Sequence, residues 1–94
     1  MDPLIETHRK EIVALAARHG ALNVRLFGSR ARGQGGPASD VDLLVETAER
    51  TSPWFPAGLI EALQDRLGCR VEIVTERALH PAIRQRVLKE AVPL

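Results

Sequence analysis

The 94 residues, 45% of them hydrophobic and 27% charged, predict one small globular domain over residues 1–94 and exclude a disordered chain. A formal net charge of +1 lacks the basic excess of a general nucleic-acid binder, so nucleic acid is not expected as the main partner. Cys69 is the sole cysteine, which excludes an internal disulfide and a cysteine zinc site; with no long apolar stretch in the charged start MDPLIETHRKE, the expectation is a soluble, cytoplasmic protein without signal peptide or membrane span.

The first predicted element is a helix. Asp2-Pro3 has the form of an N-cap followed by proline at the first helical position, and Leu4, Ile5, His8, Ile12, Leu15 and Ala16 recur at helical spacing until Gly20 stops the pattern. Val24 to Phe27 is a short strand. Gly28 to Ser39 holds four Gly and one Pro, so it is loop, with room for a single helical turn around Ser29 to Arg32. Asp40 to Glu46 is the second strand, with Val41, Leu43 and Val45 on one face and Asp40, Asp42 and Leu44 on the other. Thr47 to Ser52 is a polar connection. Ser52-Pro53 repeats the cap-and-proline form and predicts a helix with Trp54, Phe55, Leu59, Ile60, Leu63 and Leu67 on its apolar face, ended by Gly68. Arg70 to Thr75 is the third strand, with Val71 and Ile73 on one face and Glu72 on the other. Pro81 opens a last helix carrying Ile83, Val87 and Leu88. The helix between strands two and three makes them parallel neighbours, and the loop between strands one and two allows an antiparallel pair. The expected class is α/β (α+β), a small mixed three-stranded sheet with packed helices.

Residues two apart on a strand share a face at roughly 6–7 Å, so Asp40 and Asp42 form one negative patch. Like charges that close need a compensating cation. Magnesium is the natural one, since it takes hard oxygen ligands, usually one or two carboxylates plus substrate phosphates. Paired ions about 3.5–4 Å apart would clamp a phosphoryl group undergoing in-line displacement. A bare D-x-D is more often a loop cap and a solvated strand residue. Three features weigh against that here: Gly28-Ser29 directly follows a strand, as a phosphate-cradling loop does; Arg30 and Arg32 stand in the same loop; and Glu72 can join the aspartates if the strands are neighbours. Gly28 and Gly33 have the G-x-x-x-x-G spacing of a P-loop, but Gln34 and Gly35 follow where Lys and Ser/Thr are needed, and G-x-G-x-x-G is absent. His8, His19 and His80 are scattered and taken as structural. Trp54 and Phe55 are expected as core or rim anchors, Ser39 as a turn residue, and Arg84, Arg86 and Lys89 as the solvated face of the last helix.

Gly28-Ser29, Arg30-Ala31-Arg32-Gly33 and Ser39-Asp40-Val41-Asp42-Leu43-Leu44-Val45 together resemble the G-S-x-A-x-G … S-D-x-D-[LI]-x-V signature of the nucleotidyltransferase superfamily that includes DNA polymerase beta. The chain is similar in length to the minimal (MNT) branch, whose members are commonly encoded beside a HEPN-domain partner as toxin–antitoxin pairs. The resemblance implies a mixed sheet in order 1-2-3 and magnesium-dependent transfer of a nucleoside monophosphate, AMP from ATP being the expected case. It implies that Gly28 and Ser29 hold the triphosphate, that Arg30 and Arg32 neutralise its β- and γ-phosphates, and that Asp40 and Asp42 bind two magnesium ions. The third family carboxylate falls on Glu72, a position usually occupied by Asp. The implied acceptor is a HEPN-type toxin partner. One domain offers half a cleft, so the acceptor must come from a partner or a second copy. Two functions compete: an antitoxin that neutralises its partner by capture alone, and a small-molecule transferase of the aminoglycoside-modifying kind, whose additional domain is not provided by 94 residues.

Overall fold

Asp2 begins the architecture. Its Oδ1 accepts from the backbone N–H of Leu4 at 3.0 Å and of Ile5 at 3.2 Å, two donors that a helix start leaves without partners, and α1 runs from Pro3 to Arg18. The computed structural model describes residues 1–94 as three helices and a four-stranded sheet. β1 (Ala21–Phe27) lies antiparallel to β2 (Val41–Thr47), with Leu26 opposite Leu43 and Phe27 opposite Asp42. β2 lies parallel to β3 (Val71–Thr75), with Asp42 opposite Glu72, and α2 (Ala57–Leu67) makes the crossover between them. A short 3-10 turn, Glu76–Ala78, leads to α3 (Pro81–Glu90).

The mixed sheet has the predicted parallel and antiparallel joins, but not the predicted strand count. Val92–Pro93 forms a fourth strand, β4, paired antiparallel with β1 at Leu26 and Arg25, so the order is β3-β2-β1-β4. Two residues hold no alternation to recognise; they pair because α3 returns the chain to that edge. β1 starts at Ala21 rather than Val24. A bulge with Asn23 at φ 49 keeps Ala21 and Leu22 paired with Thr47 and Glu46. α2 starts at Ala57 rather than at Ser52-Pro53, because Trp54 adopts φ 63, a left-handed conformation that no helix accommodates. Trp54 is accordingly not an anchor but 87% exposed, whereas Phe55 packs at the edge of the core.

The alternation of β2 decides the layers. Val41, Leu43 and Val45 pack with Leu26 against Ile5 and Ile12 of α1 and Leu59 and Leu63 of α2. Leu44 points to the opposite face and is buried under Leu79 and Val87, so α3 covers that side. No helix is long and apolar enough to cross a membrane.

Candidate functional site

β1 ends and β2 begins at the same end of the sheet, and the loop between them folds over that end. Arg32 N–H and Ala31 N–H donate to the Gly28 carbonyl at 3.2 and 3.1 Å, and Gln34 N–H donates to the Ser29 carbonyl at 2.9 Å, closing the single helical turn expected there. Gly28 sits at φ 80, and a Cβ at this position would overlap the Asp42 carboxylate. Glycine alone permits that conformation and that approach without strain.

The loop, the strand ends and α3 border an open cavity of about 700 Å³, and Gly28, Ser29, Arg32, Asp40, Asp42 and Glu72 all line it. Six of the seven expected site residues are thus brought together. Arg30 is not. It is 4% exposed, with its guanidinium turned away under the loop. Nη1 binds Asp2 Oδ1 and Oδ2 at 3.2 and 3.0 Å, Nη2 donates to the carbonyls of Ser39 at 2.8 Å and Pro37 at 3.1 Å, and Nε donates to Ser39 at 3.0 Å. A guanidinium so fully engaged offers no donor to a phosphate; Arg30 instead ties the loop to the N-terminus of α1. Ser39 is a turn residue, its Oγ accepting from Gly36 N–H at 2.8 Å.

The cavity is electrostatically strained on its acidic side. Burial first, then the charges of Glu72 and Asp40 and a hydrogen bond shared with Glu72, together push the Asp42 carboxyl up from 3.8 to about 6 against the opposing charge of Arg32. Between those two values the folded protein holds more protons than the unfolded chain. Stability from this group is therefore fully present below about pH 3.8 and is lost as pH rises through about 6. Since water screens a half-buried carboxyl, the expected loss is about 1 kcal/mol. Urea unfolding at pH 4 and pH 7 without divalent cations should show that difference between wild type and Asp42→Asn; an identical pH dependence in both would contradict it.

A divalent cation would relieve the same repulsion, so the donor chemistry fits magnesium. No three His, Cys, Asp or Glu side chains converge tightly enough to hold an ion by themselves. That geometry suits an ion that takes one or two carboxylates and completes its shell with water and phosphate oxygens.

α3 and its cap contribute residues that sequence patterning assigned to solvent or to structure, and Glu90, to which it assigned no role. His80, Ile83, Arg86, Val87 and Glu90 all line the cavity. His80 also caps the helix, its Nδ1 accepting from Ala82 N–H at 3.0 Å. Their helical spacing was visible, but nothing in it indicated that this face folds over β2.

Comparison with known proteins identifies the family. The family model described as a nucleotidyltransferase domain matches residues 5–94. The protein adenylyltransferase MntA of Thermococcus cleftensis is 36% identical over 92 residues, covering 98% of this chain and 90% of that protein. A solved structure provisionally described as a minimal nucleotidyltransferase is 48% identical, with a TM-score of 0.83 over 100% of this chain and 97% of its own. A crystal structure of a toxin–antitoxin with AMP-PNP shares the fold, with a TM-score of 0.74 at 23% identity over 89% of this chain and 69% of the other. The chain belongs to the nucleotidyltransferase domain family, in its minimal branch, and the chemistry of that class is transfer of a nucleoside monophosphate from a nucleoside triphosphate with release of pyrophosphate.

Proposed function

We propose that this chain, acting as one domain over residues 1–94, transfers AMP from ATP to a protein acceptor. We propose further that the acceptor is a HEPN-type toxin and that the modification silences it. The observation that carries the reading is the single cavity on which the Gly28–Arg32 loop meets Asp40, Asp42 and Glu72. The similarity to a protein adenylyltransferase and the fold shared with a toxin–antitoxin holding AMP-PNP support the nucleotide and the partner class.

Asp40, Asp42 and Glu72, together with phosphate oxygens and water, would hold two magnesium ions, which when bound would supply positive charge to the phosphates during in-line displacement. Ser29 Oγ and the backbone amides that follow Phe27 donate to the triphosphate oxygens, and Arg32 balances charge on the β- and γ-phosphates. Glu72, exposed at the rim, takes the proton of the acceptor hydroxyl. The hydroxyl oxygen bonds to the α-phosphorus as the bond to the departing pyrophosphate breaks.

The test is incorporation of α-labelled phosphate from ATP into the co-expressed partner. Wild type should label it, and Asp40→Asn/Asp42→Asn should lose both labelling and the magnesium-dependent gain in ATP affinity while remaining folded. Equal labelling by both proteins would refute the assignment. A wild-type protein that captures its partner in size exclusion without labelling it would support the competing antitoxin, which works by binding alone. The substitution of Glu72 for the usual Asp is the feature that favours that second reading.

A further inference from the structure

Glu90 ends α3 and has no part in the mechanism above, yet it holds the groups that the mechanism needs. Gly28 N–H donates to its Oε2 at 2.7 Å, and Arg32 Nη1 lies 3.1 Å from both Oε1 and Oε2. The Glu90 side chain is 14% exposed and that of Arg32 41%, so the carboxylate is largely withdrawn from water while the guanidinium stays open to a ligand. A backbone amide at a glycine turn beside an arginine fork is the donor set that grips a phosphate. Moreover, Glu90 adds a fourth carboxylate to a cavity already lined by Asp40, Asp42 and Glu72. Repulsion among these weakens its hold on Gly28 and Arg32.

We propose that Glu90 is an intramolecular stand-in for the β- and γ-phosphates, displaced when a triphosphate binds and returning as pyrophosphate leaves. The ligand rests on the nucleotide reading above; the occupied cradle does not. Residue 91 links Glu90 to β4, which pairs with β1 at Leu26 and Arg25, just before Gly28. So short a tether keeps the carboxylate over the cradle at an effective concentration on the order of millimolar. Glu90 thereby weakens every ligand that must use Gly28 and Arg32 and spares those that do not. The cost to triphosphate affinity is returned at product release, since the same competition drives pyrophosphate off.

Calorimetry with magnesium present tests this, titrating ATP, pyrophosphate and AMP into wild type, Glu90→Gln and Glu90→Ala. Both variants should bind ATP and pyrophosphate about tenfold tighter, a competitor having been removed, with AMP affinity unchanged. Glu90→Gln keeps the shape of the side chain, and its thermal melt confirms a fold should Glu90→Ala be unstable. If ATP fails to bind any of the proteins while pyrophosphate binding tightens, the nucleotide reading falls and the role of Glu90 stands. Unchanged or weaker pyrophosphate binding in a folded Glu90→Gln would overturn the proposal and make Glu90 a strut that positions Arg32. Absence of binding by every anion would overturn it equally.

Discussion

Glu72→Gln is expected to cut labelling of the partner by about 10²–10⁴-fold, the range for removing a positioned general base. The substitution keeps the side-chain shape and deletes the charge. Glu72 stands opposite Asp42 across the parallel β2–β3 ladder, so its carboxylate acts on the same cavity while the Gly28–Arg32 loop lies across from it. ATP binding should therefore largely survive as transfer collapses. Glu72→Asp restores the residue usual in the family, and activity should persist or rise. The Gln variant has a second signature: without the Glu72 charge and the shared hydrogen bond, the raised pKa of Asp42 should move back down. Equal transfer by wild type and both variants would remove Glu72 from the site. An inactive wild type that gains transfer as Glu72→Asp would identify a chain that works by binding.

Arg30→Ala should destabilise the fold by about 3–5 kcal/mol, the cost of breaking a buried ion pair by removing one partner. Arg30 and Asp2 have side-chain exposures of 3% and 8%. Truncation leaves the Asp2 carboxylate with only its two helix-capping donors and removes the donors to the carbonyls of Pro37 and Ser39. Against a total of about 5–15 kcal/mol for a small domain, that loss is a large share. Arg30→Lys should recover only part of it, because an ammonium cannot span Asp2 and two carbonyls as a planar fork does. Urea unfolding followed by circular dichroism measures both variants. A loss below about 1 kcal/mol for the alanine variant would show that the pair contributes little. Because Arg30 holds Ser39, the residue before Asp40, any folded fraction should also bind ATP more weakly.

Local chemistry was legible in the chain wherever one residue type does one job. Asp2-Pro3 announced α1, and its carboxylate caps that helix. The alternation from Val41 to Val45 announced a strand with two differently covered faces, and the two-part Gly-Ser and Asp-x-Asp motif announced the family. Trp54 misled because the cap-and-proline form of Ser52-Pro53 led straight into an apolar face, while a left-handed backbone at Trp54 kept the helix from starting there. Propensity and periodicity describe neighbours along the chain, and a single φ outside the helical region overrides them.

The sequence by itself determined the element types, the parallel β2–β3 pair, the antiparallel β1–β2 pair and the line of carboxylates at Asp40, Asp42 and Glu72. Those features follow from period, spacing and connection length, which are local. Only the tertiary structure decided between the two loop arginines. Arg30 and Arg32 are two positions apart and chemically identical, yet one is buried against Asp2 and the other lines the cavity. Burial of a charge is set by which distant carboxylate can meet it, and Asp2 lies far away in sequence. The tertiary structure likewise decided that α3 folds over β2, that two residues at Val92–Pro93 make a strand, and that Glu90 reaches Gly28. Each depends on where the packed sheet leaves an uncovered face or an open edge, and that is a property of the assembled molecule rather than of any stretch of its sequence.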